Sequence, residues 1–155
     1  MGELVTAINA IVDALITDIQ TATTLGLGSS PTVREWDEHP AIPAERGELP
    51  LAYVIPIVEG KDKIDMTMGG PNTFHTFPIT VVAYYKGNAD SRTQVITDLR
   101  TTRNYAYSFI EYYRTKGNFI DRGQITSAEL EAGYWEGGGN IIHFWIVKLN
   151  IKTSV

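Results

Sequence analysis

The chain has 155 residues and no cysteine, 43% of its residues are hydrophobic, 20% are charged, and its formal net charge is −5. These values are typical of one globular domain, and they exclude disulfide bonds, thiolate metal sites and an intrinsically disordered chain. The acidic balance argues against a dedicated nucleic-acid-binding protein, because such proteins neutralise phosphates with an excess of lysine and arginine. Residues 2–20 lack the basic start of a secretory signal, and no apolar run reaches the roughly 18 residues of a membrane span, so we expect neither segment.

An amphipathic helix is predicted at the start of the chain. Its apolar residues recur at helical spacing and are Leu4, Ile8, Ile11, Leu15 and Ile19. We expect the helix to stop near Thr24, because Gly26 and Gly28 provide the left-handed conformations that helix ends use.

A long proline-rich loop is predicted at 31–50, with one short strand-like piece at 32–36. Trp36 and Ile42 are the residues expected to dock this loop on the rest of the domain.

Two runs rich in β-branched and aromatic residues, 51–58 and 77–85, predict strands that pair as a long antiparallel hairpin. Pro56 lacks the N–H that a ladder needs, so we expect its strand at a sheet edge or at a bulge. The residues between the two strands, 59–76, are called the hairpin extension here, and their Gly-Gly-Pro sequence predicts a turn.

The hairpin extension is the candidate partner-binding site. It offers adaptable methionines and an aromatic anchor around a mobile tip, and nothing in it forms a nucleophile and base pair. The candidate contact residues are Lys61, Lys63, Ile64, Met66, Met68, Gly69, Gly70, Pro71 and Phe74. A surface hairpin without a partner is the alternative, because scattered exposed apolar residues are common.

A second helix is predicted from a cap at Asp90 or Ser91 to Lys116, where a basic last turn precedes a glycine. Its inner face carries Val95, Leu99, Ala106, Phe109, Ile110 and Tyr113. Two strands, 123–135 and 140–152, follow it. One face of the last strand is apolar throughout and carries Ile141, His143, Trp145, Val147, Leu149 and Ile151.

This order of elements predicts a single α+β domain over residues 1–155. We expect a mainly antiparallel sheet of about four strands, two main helices against one or both of its faces, and the long hairpin extension.

Sequence motifs of hydrolases, phosphate-binding loops and zinc peptidases are absent. His39, His75 and His143 lie far apart in the sequence, so a metal or catalytic site would require the fold to gather them. Glu129 and Glu131 share one face of a strand, but their polar neighbours favour solvated surface acids over an acid–base pair. We therefore expect no catalytic residue, no metal and no cofactor.

Tyrosines and arginines of the second helix permit three interpretations. They are Tyr105, Tyr107, Tyr112, Tyr113, Arg100, Arg103 and Arg114. They match the stacking and phosphate contacts of single-stranded nucleic acid, and both residue types are also enriched at protein interfaces. The acidic chain favours a third interpretation, a core stripe with an amphipathic rim in which the arginines face acids such as Asp98 and Glu111.

Four segments give the chain a resemblance to a known family. They are the N-terminal helix Glu3–Gln20, WDEHPAIPAERGELPLAY at 36–53, FPITVVAYYKGNADSRTQV at 77–95 and GYWEGGGNIIHFWIVKLNIK at 133–152. In layout and residue character the chain resembles the tail-terminator and neck proteins of tailed bacteriophages. These are small α+β proteins that close the tail tube and join it to the head.

The resemblance implies a non-enzymatic virion protein of the tail or neck, made in the host bacterial cytoplasm. It implies a homo-oligomeric ring, commonly a hexamer, stacked on the tail tube protein, with a head-completion, stopper or neck protein on its other side. DNA would pass through the lumen without specific binding, and no membrane would be involved. The hairpin extension is then expected at a ring-to-ring contact, and sheet edges, suggested by Pro56, at contacts between subunits.

Two alternatives stand beside this interpretation. One is a head–tail stopper or another ring component of the neck. The other is of a different class, a small metal-dependent or hydrolytic enzyme that uses His39, His75 or His143.

Overall fold

The computed structural model describes residues 3–22, 24–28, 31–35, 49–56, 63–66, 73–87, 91–116, 123–137 and 140–154. It describes the backbone alone for 3–5, 7, 63–66, 73–75, 114–116, 123, 137, 140 and 154. Within these residues the chain forms two helices and six strands. In chain order they are α1 (Glu3–Thr21), β1 (Thr32–Glu35), β2 (Leu51–Ile55), β3 (Lys63–Met66), β4 (Thr73–Lys86), α2 (Arg92–Lys116), β5 (Gly123–Gly137) and β6 (Asn140–Ser154). No described helix is long and apolar enough to cross a bilayer.

The six described strands form one sheet in the order β1-β2-β4-β6-β5, and β3 pairs with the start of β4. Among the described pairs, β1 and β2 are parallel and all the others are antiparallel. The predicted α+β class with a mainly antiparallel sheet is confirmed. The short strand β1 corresponds to the strand-like piece predicted at 32–36, and β3 adds to the strands that the sequence predicts.

The centre of the sheet is the pair β4 and β6, which runs from Phe74 opposite Ser154 to Lys86 opposite Ile142. Side chains alternate between the two faces of a strand, so the odd-numbered residues of both strands share one face. That face buries Phe77, Ile79, Val81, Ala83, Tyr85, Trp145, Val147, Leu149 and Ile151. The predicted apolar face of the last strand is therefore confirmed as the main core.

Both helices pack on this odd-numbered face. From α1 the buried residues are Ile11, Val12, Leu15 and Ile19, and from α2 they are Ala106, Phe109 and Tyr113. Within the described residues the helices thus cover one face of the sheet. The sequence had not decided whether they would cover one face or both. Tyr113 links the two helices because its hydroxyl donates a hydrogen bond of 2.8 Å to Asp18 Oδ2. Burial, followed by this carboxylate, raises the pKa of Tyr113.

A smaller apolar cluster lies on the even-numbered face. Its buried members are Leu49, Leu51, Tyr53, Ile55, Val82, Tyr84 and Ile142, with Phe144 and Ile146 packed beside them. The rings of Tyr53 and Tyr84 meet edge to face with centroids 6.0 Å apart. Burial, with a smaller contribution from Tyr53, raises the pKa of Tyr84 to about 12.

A chain of two buried hydrogen bonds fastens the segment after α1 to the sheet. Trp145 Nε1 donates to the Tyr85 hydroxyl at 2.9 Å, and that hydroxyl donates to the Leu25 carbonyl at 2.7 Å. Gly26 follows with φ of 65°. A Cβ on Gly26 would lie 2.4 Å from Tyr105 Cζ, so both its backbone conformation and the space around it require glycine.

The predicted start and end of α2 agree with the structure. The Ser91 hydroxyl accepts a hydrogen bond of 3.1 Å from the Gln94 backbone N–H, which identifies Ser91 as the N-cap. The predicted pairing of the strands around 51–58 and 77–85 is confirmed by β2 and β4, from Leu51 opposite Tyr84 to Ile55 opposite Thr80.

The expectation that Pro56 marks an edge strand or a bulge is wrong. Its strand, β2, pairs with β1 on one side and with β4 on the other, in continuous register. The strand ends at Ile55, so Pro56 lies just beyond the ladder, where a missing N–H costs no strand hydrogen bond. The expected docking residues Trp36 and Ile42 lie outside the described residues.

We predict that Tyr85→Phe lowers the free energy of unfolding by about 1–3 kcal/mol, because it leaves the indole N–H of Trp145 and the carbonyl of Leu25 buried without this partner. Urea unfolding measures the loss. The matched control is Tyr134→Phe, which removes the same atom from a side chain that is 45% exposed and should change stability by less than about 0.5 kcal/mol. Equal effects of the two variants would contradict this role of Tyr85.

Candidate functional site

The hairpin extension is partly described. Lys63, Ile64 and Met66 lie in β3, which pairs with β4 from Lys63 opposite Thr76 to Met66 opposite Thr73, and Phe74 lies in that part of β4. The pairing of the two arms of the extension is thus observed, and its role as a contact surface stays a prediction. The other candidate residues Lys61, Met68, Gly69, Gly70 and Pro71 lie outside the described residues.

The histidines proposed for the enzyme alternative are separated by the strand register. His75 lies opposite Thr153 in the central ladder, and His143 lies opposite Tyr85. Ten residues of extended strand separate the two positions, which places their backbones about 33 Å apart. His75 and His143 therefore do not meet in one site, and His39 lies outside the described residues. No group of three or more His, Cys, Asp or Glu residues with a metal-binding arrangement occurs in the described part of the chain.

His143 is a buried side chain on the helix-facing side of β6, with 1% of its surface exposed. Neither ring nitrogen has a hydrogen-bond partner among the described residues. Its Nε2 lies 4.0 Å from Asp98 Oδ2 on α2, and its ring centroid lies 5.6 Å from that of Tyr134 on β5. The ring also fills the space beside Gly87, where an added Cβ would lie 2.6 Å from His143 Cδ2.

Desolvation by burial lowers the pKa of His143, and the charge of Asp98 offsets this only in part. The ring is accordingly neutral at pH 7. Asp98 is also engaged elsewhere, since its Oδ1 accepts a hydrogen bond of 2.9 Å from Gln94 Nε2. Arg100 and Arg103 form no ion pair with a carboxylate among the described residues, whereas the side chain of Arg114 lies outside them. That the arginines of α2 face Asp98 and Glu111 is thus not observed for Arg100 and Arg103 and stays a prediction for Arg114.

Glu129 and Glu131 share one face of β5 as predicted, and both are exposed. Glu129 lies opposite Lys148 of β6, which is exposed as well. The two acids thus lie among charged and solvated neighbours and lack the buried partner that separates the pKa values of an acid–base pair.

The outer side of β5 is the most extended unpaired strand edge in the described structure. The strand has 15 residues, about 50 Å of extended chain, and pairs with β6 along one side. No described strand pairs with its other side. Two large aromatic residues near its end are exposed, Tyr134 at 45% and Trp135 at 37%, and they lie on opposite faces of the sheet. This unpaired side of Gly123–Gly137 is called the β5 edge.

A groove runs between β5 and α2 on the helix-covered face. Its two adjoining parts have volumes of about 480 and 400 Å³ and share Leu99. The residues that line them are Ser91, Arg92, Val95, Ile96, Leu99, Arg100 and Arg103 from α2, Leu130, Glu131, Ala132, Tyr134 and Glu136 from β5, and Ile141.

A row of exposed residues on α2 lines this groove and extends past it to Tyr107. They are Arg92, Ile96, Arg100, Arg103 and Tyr107, spaced three or four positions apart and therefore aligned along the helix. Arg103 Nη2 donates a hydrogen bond of 3.1 Å to the Tyr107 hydroxyl, and its guanidinium carbon lies 5.5 Å from the centre of that ring. This row is called the α2 stripe.

The sequence indicated Arg100, Arg103 and Tyr107 as candidate contact residues but did not indicate that they form one surface with Arg92 and Ile96. The aromatic and basic residues of α2 divide as the core-and-rim interpretation predicts, with Tyr113 buried and Tyr107 and Tyr112 exposed. The spacing of Arg92, Ile96 and Arg100 was the available signal for the stripe. The sheet order that leaves β5 outermost has no signal in the sequence.

The sequence matches no protein-family model, and a search of curated proteins gives no match either.

We predict that His143 makes the stability of the fold depend on pH below its unfolded pKa of about 6.5. Above that value the ring is neutral in both states. As the pH falls from 6.5 toward the lower folded pKa, the unfolded chain binds the proton first, so stability is lost. The slope for one proton is at most about 1.4 kcal/mol per pH unit.

The measurement is urea unfolding of the wild type and His143→Gln between pH 5 and pH 8. The difference between the two proteins should be constant above pH 7 and should shift in favour of the variant as the pH falls. Asp98→Asn removes the charge that favours protonation of His143, so the folded-state pKa of His143 should fall further. Stability should then continue to decrease to a lower pH than in the wild type. Parallel pH profiles of wild type and His143→Gln would show that His143 is not the group responsible.

Proposed function

We propose that this protein is a structural component of a tailed-bacteriophage virion, a tail terminator that assembles into a ring on the end of the tail tube. The observation that carries the proposal is the β5 edge, the unpaired side of a long strand with exposed aromatic residues near its end. The resemblance in layout to tail-terminator and neck proteins supports the identity of the assembly.

The β5 edge is suited to binding a strand of another molecule. Its outward N–H and C=O groups form a template for strand addition, which proteins commonly block with charges, proline or a bulge. The described β5 has a register shift between Ile125 and Ser127 and charges at Glu129 and Glu131. Its remaining part, Ala132–Trp135, has no such protection and carries the exposed Tyr134 and Trp135. Tyrosine and tryptophan are the residues most enriched at the energetic centres of interfaces.

The described residues offer better support for assembly than for catalysis. His75 and His143 are held about 33 Å apart by the central ladder. His143 itself has 1% exposure and no route to a substrate through its own surface. The exposed features that remain are an edge strand, aromatic side chains and arginines, which are features of a binding surface.

In the proposed ring, each copy contacts its neighbour through the β5 edge, and the hairpin extension contacts the tail tube protein. A head-completion, stopper or neck protein binds the opposite side of the ring. The net charge of −5 fits a lumen through which DNA passes without adhering, because like charges disfavour phosphate contacts.

We predict that, of two proline substitutions at neighbouring positions of β5, one blocks self-association without unfolding the protein. Successive N–H groups of a strand point to opposite sides. Of the variants Ala128→Pro and Glu129→Pro, one therefore removes an N–H of the β5 edge and the other removes an N–H that faces β6. The inward proline should cost about 1–3 kcal/mol of stability. The outward proline should keep the wild-type unfolding curve and lose the oligomer in light scattering after size exclusion. Wild-type assembly by the stable variant would refute the role of the β5 edge.

We predict that the purified protein caps one end of tubes assembled from a phage tail tube protein, visible by negative-stain electron microscopy. Deletion of 61–73 should leave the ring intact and abolish capping, because the extension is assigned to the tube contact. Rings that never bind tube ends would favour a head–tail stopper or another neck component over a terminator. Unchanged capping after the deletion would refute the role of the extension.

A further inference from the structure

We infer that the α2 stripe is the basic half of the contact between neighbouring copies, and that it binds an acidic surface of the next copy in a head-to-tail arrangement. This inference rests on the proposed function, because it assigns a second contact to the same ring. It concerns Arg92, Ile96, Arg100, Arg103 and Tyr107, which line or border the groove beside the β5 edge.

Charge is distributed unequally along the chain. The helix α2 contains five basic and two acidic residues and so contributes +3 to a chain with a formal charge of −5. The remainder of the chain therefore carries −8. The rest of a second copy therefore has an excess of negative charge, which makes a second copy a charge-complementary partner for this helix.

The arginines of the α2 stripe are suited to binding carboxylates of a partner. Arg92, Arg100 and Arg103 are all exposed, and none of them forms an ion pair with a carboxylate in the described part of the chain. Tyr107 holds the Arg103 guanidinium by a hydrogen bond and a ring contact, so less side-chain freedom is lost when Arg103 binds a partner. The stripe has arginine and no lysine, and arginine is the residue that binds carboxylates in a bidentate manner.

The groove beside the α2 stripe favours a protein partner over DNA. Carboxylates of a protein and phosphates of DNA are both ligands for arginine. The facing wall of the groove carries Glu136 on the same side of the sheet as α2, opposite Ile141. This carboxylate repels a phosphodiester backbone, whose charge is negative throughout, whereas a protein surface also contains basic side chains that can meet it. Ile96, 52% exposed, and Tyr107, 49% exposed, add the apolar area that protein interfaces use.

The arrangement follows from the sign of the charge. A two-fold axis through the stripe would set six arginines of two copies against one another, which is repulsive. The stripe therefore requires a different surface on its partner, and contacts between two different surfaces generate rings or filaments. The β5 edge lies along the same groove, so one neighbouring segment can pair with the strand and present its carboxylates to α2.

The test is a charge reversal with a matched control. Arg100→Glu should raise the dissociation constant for self-association by about tenfold or more, and Arg100→Lys should recover most of the loss. Lys86→Glu makes the same change in net charge at another exposed position and should leave association unchanged. Raising the salt from about 50 mM to about 500 mM should weaken wild-type association and affect Arg100→Glu less. Sedimentation velocity measures the masses.

Mixing identifies the arrangement. The double variant R100E/R103E still offers its acidic surface but cannot bind the next copy, so adding it to the wild type should terminate assemblies and lower their mean mass. Mixed dimers more stable than either parent would indicate a two-fold contact and overturn the inference. If Arg100→Glu and R100E/R103E form oligomers as strongly as the wild type does, the inference is overturned and the proposed ring stands. A wild type that stays monomeric at all concentrations and salts, with and without tubes, would overturn the ring itself. Binding of duplex DNA that is lost in Arg100→Glu, with association unchanged, would assign the stripe to DNA and overturn the inference.

Discussion

The antiparallel ladder between β4 and β6 is the constraint on which the rest of the molecule depends. Its register, with Val81 opposite Val147, places odd-numbered residues of both strands on one face and even-numbered residues on the other. A shift by one residue would turn the whole apolar set that receives α1 and α2 to the other face. The ladder also occupies one side of each strand, so that β4 accepts β2 on its free side and β6 accepts β5. Among the described strands the sheet ends at β5, which leaves the β5 edge open.

The core tolerates polar atoms in two different ways. The hydroxyl of Tyr85 is satisfied by Trp145 and by the Leu25 carbonyl, and it thereby fastens the segment after α1 to the sheet. His143 is buried without such partners among the described residues and is held in its neutral form instead. The first arrangement connects the segment after α1 with β4 and β6 through hydrogen bonds, whereas the second predicts that the contact between β6 and α2 depends on pH.

The proposed assembly draws on features that the fold leaves outside the core. Packing requires α2 to bury Ala106, Phe109 and Tyr113, and the neighbouring flank of the same helix is then exposed and carries the α2 stripe. Because α2 packs over β5 and β6, the stripe lies next to the β5 edge. A hydrogen-bonding edge and a row of positive charges thus adjoin one groove. Together they provide both the backbone pairing and the charge selection that a specific contact between copies requires.

The sequence alone determined the elements that depend on periodicity and local chemistry. The apolar spacing of α1, the Ser91 cap of α2 and the inward face of β6 from Ile141 to Ile151 are all local patterns, and each agrees with the structure. Strand order was decided only by the tertiary structure, because pairing joins residues distant in the chain. Pro56 illustrates this, since its missing N–H indicated an edge while β1 pairs with its strand. The candidate surface has the same origin: the sequence supplies arginines, tyrosines and a strand, and only the placement of β5 at the end of the sheet brings them together.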